Sequence, residues 1–353
     1  MEIRVEKTAA PKEVPAEIKS FGKIFTDHMF MMDYTEGQGW HDARIVPYAE
    51  FPIDPAACVL HYGQGIFEGL KAYKGADGVI RLFRPRANFE RLNRSAQKVC
   101  MPSVDIDFAL EALEQLVRLE AKWVPDAPGT SLYIRPFMIA TEAYLGVHAA
   151  KEYKFIIILS PSGPYFANGL QPVDIIVEDY YVRAVRGGLG EAKTLANYAA
   201  SLLAGEEAQA KGYEQVLWLD GVERKYIEEI GAMNIMFKID GKVVTPPLTG
   251  TILPGITRDS VIKVLQEMNV PVEEYRISID ELIDSYKNGK LEEIFGTGTA
   301  AVISPVGRLV YKDQEMTVKA YDENSICHQL YDKITGIQTG RLSDPFDWVV
   351  TLD

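Results

Sequence analysis

Cysteine is scarce in this sequence: only Cys58, Cys100 and Cys327 occur in 353 residues. They stand far apart, so neither a disulfide framework nor a thiolate metal cage is spelled out. Histidine is almost as thin, and His28, His41, His61, His148 and His328 are dispersed along the chain, which gives a metal site little support. Positive charge is not in excess either. With 37 Lys+Arg against 50 Asp+Glu the formal net charge is -13, and a chain of that sign lacks the basic face that binding nucleic acid demands. No apolar run approaches the length that crosses a bilayer. Residues 1–23 mix acids with bases around no apolar core, so no secretory signal is expected. Internal repeats and low-complexity segments are also missing. A soluble protein of the reducing cytoplasm is the expectation.

What remains is a globular composition, 47% hydrophobic and 25% charged. At 353 residues the chain exceeds one ordinary core, so two domains are expected. Chain breakers gather at Ser160-Pro161-Ser162-Gly163-Pro164 and again at Asn168-Gly169. The division expected is therefore a smaller amino-terminal α+β domain at 1–160, a linker at 161–172 and a larger domain at 173–353 that carries Lys193. Strand-like patterns fall at residues 25–34, 43–48, 79–84, 132–140, 153–159, 173–177, around Val182, and at 215–219, 292–295 and 301–306. Asp240-Gly241 marks a hairpin. Helical spacing begins near Ala87 and recurs at 108–123, 198–210, 258–268 and 279–288. Residues 60–72 read as a short helix or tight bend, and residues 1–20 as a loose polar arm. Strands and helices in mixed order define an α+β, mixed α/β class.

Within that frame Gly187-Gly188-Leu189-Gly190-Glu191-Ala192-Lys193-Thr194 is unusual, a glycine-rich turn that delivers a single lysine. Two chemistries suit such a lysine: a point charge on a nucleotide phosphate, or an amine that condenses with a carbonyl cofactor. The spacing nearly matches a phosphate loop, but Ala192 occupies the place of its second glycine, whose backbone lies against phosphate. That leaves a P-loop NTPase as a remote alternative. Two further turns bear on the choice. Leu253-Pro254-Gly255-Ile256-Thr257 leads into a predicted helix, whose amino-terminal amides favour an anion. Phe295-Gly296-Thr297-Gly298-Thr299-Ala300 ends a strand in a turn able to cradle an oxyanion. Either is, alone, an ordinary turn; together with Arg84 at a strand end they make a phosphate clamp. Glu229 stands at the mouth of an apolar strand, as a solvated end residue or as the partner of a cationic ring nitrogen.

Read together, these stretches resemble the fold-type IV, D-amino acid aminotransferase-like pyridoxal phosphate enzymes. Phe21-Gly-Lys-Ile-Phe-Thr-Asp-His28, the run from His61 to Lys71, Leu82-Phe-Arg84-Pro85 and Leu132-Tyr133-Ile-Arg135-Pro136 narrow the resemblance to branched-chain amino acid aminotransferases over nearly the whole chain. The resemblance implies pyridoxal 5'-phosphate as cofactor, with Lys193 as the covalent anchor and proton carrier. Glu229 matches the acid on the ring nitrogen and Tyr198 the phenol on the 3′ oxygen. Arg84, the amides of Ile256 and Thr257 and the hydroxyl of Thr299 match the phosphate cup. Phe21, Phe67, Tyr133 and Tyr165 match the aromatic walls of a pocket for a branched side chain, where apolar fit discriminates by only ~1–3 kcal/mol per methylene. The amides of Thr299 and Ala300, with the Tyr62 hydroxyl, match the holder of the substrate carboxylate. Arg135 matches a residue implicated in accepting the second carboxylate of glutamate. Tyr62, Leu145 and Val147 match residues that reach across from a second subunit, which implies a homodimer. The implied reaction is reversible transamination of leucine, isoleucine and valine with 2-oxoglutarate. Within the same fold, a D-amino acid transaminase or an aminodeoxychorismate lyase is the alternative.

Overall fold

A computed structural model describes residues 1–18, 21–164, 170–318 and 321–352. Two compact units divide the chain: Met1–Tyr165 with Ala192–Leu195 and Gly336–Asp353, and Phe166–Glu191 with Ala196–Thr335. The limits read from the sequence, 1–160 and 173–353, follow the chain alone and do not place its two returns into the first unit.

In the first unit a nine-stranded sheet runs in the order Arg4–Val5, Gly39–Pro47, His28–Thr35, Glu152–Ser162, Ser131–Ala140, Leu70–Lys74, Ile80–Phe83, Val349–Leu352, and Gly65–Phe67 pairs on Ser131–Ala140. Alternation along Ser131–Ala140 gives the two faces different tasks. Leu132 and Ile134 turn into a core with Phe89, Leu92, Leu113 and Leu116, which leaves Tyr133 and Arg135 on the opposite face. Two helices cover the core side. Helix Ile106–Leu119 starts where the Asp105 carboxylate accepts the Phe108 N–H at 2.9 Å, and it buries Ala109, Ala112, Leu113, Leu116 and Val117. Helix Pro85–Lys98 starts on a proline, whose missing N–H is no loss in a first turn.

Two expectations are corrected here. Residues 60–72 are mostly sheet: helix Cys58–Tyr62 ends at Gly63 (φ 61), and strands Gly65–Phe67 and Leu70–Lys74 follow. Pairing of both strands along one edge of Ser131–Ala140, whose other edge holds Glu152–Ser162, overrides the local bend signal. The polar arm is also tied down. Arg4–Val5 pairs in parallel with Gly39–Pro47, the Thr8 N–H donates to His28 Nε2 at 2.8 Å, and the Lys12 N–H donates to Asp27 Oδ1 at 2.8 Å.

In the second unit six strands close into a ring. Their order is Ile227–Ile230, Gln215–Leu219, Val173–Glu178, Val302–Tyr311, Leu291–Gly298 and Met233–Ile239, and the last pairs back onto the first. The ring is filled by Ile175, Leu217, Ile230, Ile235, Phe237, Ile294 and Val306. Val182 lies in no strand, because the Glu178 carboxylate accepts the N–H groups of Tyr180 and Tyr181, both at 2.8 Å, and turns the chain there. Helix Ile326–Gln338 and strand Val349–Leu352 were not foreseen. The helix start is ordered from outside it, by the buried Glu293 carboxylate accepting the Ile326 and Cys327 N–H groups at 2.8 and 3.0 Å. Among the described residues no helix is long and apolar enough to cross a membrane.

Candidate active site

Lys193 lies in the short return Ala192–Leu195 of the first unit. Its backbone is pinned on both sides: the carbonyl accepts the Phe67 N–H at 3.1 Å and the N–H donates to Ser95 Oγ at 2.9 Å. Nζ then stands 4.8 Å from the centre of the Phe67 ring. The Arg135 guanidinium is 4.6 Å from the same ring, 5.2 Å from that of Tyr133, and donates to the Tyr133 hydroxyl at 2.8 Å. Phe21 meets Tyr133 edge-on at 4.8 Å. Lys193, Phe67, Arg135, Tyr133 and Phe21 are thus one connected group, apolar walls with a cation at either end. Lys71 pairs in register with Tyr133 and shares its face; burial lowers its pKa to about 8. The turn after Phe67 is held by an enclosed ion pair, Arg91 donating to both oxygens of Glu68 at 2.8 Å.

Arg84 is also in this unit. It precedes helix Pro85–Lys98 in a left-handed conformation (φ 51), and its guanidinium lies 5.1 Å from the Trp348 ring. A cation at the positive end of a helix is unfavourable alone and is relieved by an anion. Tyr62, Leu145 and Val147 form another cluster, at the surface. The Tyr62 hydroxyl donates to the Leu145 carbonyl, while Leu145 and Val147 are 64% and 85% exposed. Tyr165 lies outside the described residues.

The second unit has a buried carboxylate of its own. Glu229, almost fully buried, pairs with the Arg183 guanidinium and accepts the Asn234 amide on its other oxygen at 3.1 Å. Asn234 also donates to the Leu253 carbonyl at 2.9 Å, which ties Glu229 to the turn before helix Ile256–Glu267. Gly255 begins that helix with no side chain to cap it, and a Cβ there would fall 2.0 Å from Asn234 Oδ1. Thr257 is buried and Ile256 half-buried at the helix start. Across the sheet, Thr297 pairs in register with Asn234, and Thr299 and Ala300 follow in the next turn. Val302 closes that turn at φ 64, a conformation rare for a β-branched residue and of the kind kept at working sites. Tyr198 is half-buried in helix Leu195–Ala200.

Arg183 was missed by sequence reading, and so was a role for Asn234. Arg183 lies in an irregular stretch and carries no periodic signal. Its Nη2 donates to the carbonyls of Gly190 (3.1 Å) and Thr251 (2.8 Å), and a Cβ on Gly190 would fall 2.2 Å from the Thr251 oxygen. Gly190 therefore serves close backbone approach, and Ala192, expected to disqualify a phosphate loop, is itself buried.

The residues present fit pyridoxal phosphate. An enclosed carboxylate suits a cationic nitrogen, the start of helix Ile256–Glu267 suits phosphate, and the Thr297 hydroxyl, 2% exposed, has no hydrogen-bond partner among the described residues. A primary amine on an aromatic wall in one unit, with an enclosed acid and anion-binding turns in the other, are the parts that a cofactor-dependent transferase of amino groups uses. Residues 65–309 match the amino-transferase class IV family, and the chain belongs to it. It is 56% identical over 348 residues to branched-chain-amino-acid aminotransferase 2 of Bacillus subtilis (strain 168), covering 98% of this chain and 96% of that protein. It is 55% identical to a probable branched-chain-amino-acid aminotransferase of Staphylococcus aureus (strain N315), covering 99% and 98%. The crystal structure of Escherichia coli branched-chain amino acid aminotransferase superposes with a TM-score of 0.77 at 28% identity, covering 93% of this chain and 99% of that one. The branched-chain amino acid aminotransferase from Thermobaculum terrenum, in its PLP-form, gives 0.73 at 26% identity, covering 92% and 98%.

Proposed function

We propose that this chain catalyses the pyridoxal phosphate-dependent, reversible transfer of the amino group of L-leucine, L-isoleucine and L-valine to 2-oxoglutarate, giving branched-chain 2-oxo acids and L-glutamate. The observation that carries this reading is the group around Phe67, with Lys193 and Arg135 against one ring inside walls of Phe67, Tyr133 and Phe21. An apolar pocket that ends in a cation admits a branched side chain in one half-reaction and the distal carboxylate of glutamate in the other. The phosphate-loop and other fold-type IV alternatives are set aside, since relatives matched along almost the whole chain are branched-chain aminotransferases.

When bound, pyridoxal phosphate supplies the electron sink that makes the Cα–H of the amino acid acidic. Lys193 would anchor the cofactor and would carry the Cα proton, with its Nζ 4.8 Å from the centre of the Phe67 ring. Glu229, oriented by Arg183 and Asn234, holds the ring nitrogen cationic. Arg84, the amides of Ile256 and Thr257 and the Thr299 hydroxyl hold the phosphate, and Tyr198 donates to the 3′ oxygen. The amides of Thr299 and Ala300 orient the substrate carboxylate, with Tyr62, Leu145 and Val147 contributed by a second copy of the chain. Three free cysteines suit a cytoplasmic location.

Borohydride reduction of purified protein followed by peptide mapping tests the reading. A visible chromophore and a label on Lys193 are expected; a label on any other lysine, or no chromophore, overturns it. A donor panel tests the substrate class, since preference for D-alanine over L-leucine would contradict it. Lys193→Ala should lose turnover while retaining affinity for the cofactor.

A further inference from the structure

Behind Glu229 lies a second acid that the function above leaves unused. Glu228 neighbours Glu229 on strand Ile227–Ile230, at the point where the pairing with Gln215–Leu219 shifts register and leaves Glu228 without a partner position. Glu228 is 7% exposed; its Oε1 accepts the Thr251 hydroxyl at 2.6 Å, and its Oε2 has no hydrogen-bond partner among the described residues. It borders a cavity of about 140 Å³ together with Arg186, Asp220, Glu223, Thr249 and Arg276. Thr251 is the link between the two acids. Its hydroxyl is held by Glu228, and its carbonyl accepts Nη2 of the guanidinium that pairs with Glu229. Gly190 packs on that carbonyl with no room for a Cβ, so the Thr251 peptide has little freedom to move.

We propose that Glu228 is a positioning residue for Glu229: through Thr251 it fixes the Arg183 guanidinium, and so sets how much negative charge Glu229 presents to a cationic ring nitrogen. The proposal rests on the reading that Glu229 serves the cofactor. Three charged groups act on Glu228 itself: Arg183 and Arg276 favour its ionised form, while Asp220 opposes it. Burial dominates and raises its pKa, against the opposing Thr251 hydrogen bond. Glu228 is therefore neutral up to a higher pH than an ordinary glutamate. Once ionised, it attracts Arg183 in competition with Glu229, and Glu229 is left with more charge for the nitrogen. The device adds a proton-sensitive adjustment to a residue that is itself enclosed.

The test compares holoenzyme forms of the wild type, Glu228→Gln, Thr251→Val and the double variant. Gln keeps an acceptor for the Thr251 hydroxyl and removes the charge. Each is measured for kcat/KM and visible absorption against pH, and for spectroscopic affinity for pyridoxal phosphate. Melting of the cofactor-free protein separates folding from function. Each form is also reconstituted with deazapyridoxal phosphate, which has carbon in place of the ring nitrogen. Wild type should gain kcat/KM with rising pH as Glu228 ionises; Glu228→Gln should lack that rise and fall roughly tenfold below wild type, the size of coupling within one hydrogen-bonded network. Its deficit should vanish with the deaza analogue, and the double variant should be no worse than the poorer single one. A Glu228→Gln enzyme with the wild-type pH profile, or with a deficit that persists on the deaza analogue, overturns the proposal alone. Wild type that forms no chromophore overturns the functional reading and the proposal together.

Discussion

At the scale of single residues, the site depends on charges placed where water is excluded. Glu68 and Arg91 are the most enclosed such pair, with side chains 0% and 4% exposed. Removing one partner strands the other charge, so Arg91→Met should lower unfolding free energy by about 3–5 kcal/mol. Denaturant titration measures this, and a loss below the error of extrapolation would mean that Glu68 finds another partner. Phe67 must also lose its position relative to Lys193, so turnover should fall even in the folded fraction. The Glu229 trio behaves differently. Asn234→Ala removes the amide that joins Glu229 to the Leu253 carbonyl; cofactor affinity measured by spectroscopic titration should weaken by roughly tenfold, the effect of one hydrogen bond to a charged group.

Elements explain which parts of this site were readable. Helix Ile106–Leu119 and strand Ser131–Ala140 were legible because period and burial agree along them. The glycine turns were legible as motifs, and Gly255 shows why glycine is required: packing against Asn234 leaves no space. Gly255→Ala, although its backbone angles suit alanine (φ -66), should therefore displace the turn and reduce cofactor retention while secondary structure by circular dichroism stays unchanged. Arg183 and Thr251 were not legible, since the guanidinium is placed partly by the Gly190 and Thr251 carbonyls and no side-chain pattern encodes those. Residues 60–72 were misread for a related reason. Their strands exist because Ser131–Ala140 offers pairing positions, a long-range cause that a local window does not contain. The arm around Thr8 and Lys12 likewise takes its order from buried Asp27 and His28.

Whole-molecule behaviour follows from carboxylates and from one surface. Burial pushes Asp27 upward, but hydrogen bonds from Lys122, the Lys12 amide and Trp123 outweigh it, and the pKa ends below its ordinary 3.8. Asp33, with Lys154 and Arg44, and Asp220, with surrounding backbone amides, are lowered in the same way. A depressed folded pKa gives stability that is complete above the unfolded value and is lost as pH falls through the folded one. Stability should hold at neutral pH and drop progressively below about pH 4, as thermal melts across acidic buffers will reveal; a flat profile there would contradict the assigned pairs. The exposed apolar patch of Leu60, Tyr62, Tyr144, Leu145 and Val147 belongs to this scale too. With a homodimer proposed, Val147→Asp should shift the size measured by light scattering toward one chain and reduce activity together with it.

The sheet order of the first unit has a consequence in time. Among the described residues strand Ile80–Phe83 receives its outer neighbour from Val349–Leu352, so during synthesis the growing chain carries an open sheet edge until Val349–Leu352 has emerged. The ring of the second unit needs Val302–Tyr311 to bridge Val173–Glu178 and Leu291–Gly298. Neither unit reaches its final pairing early, and such long-range closures are slow. The nascent polypeptide thus has a long interval in which unpaired strands invite aggregation, and chaperone demand in the first unit should last until Val349–Leu352 pairs.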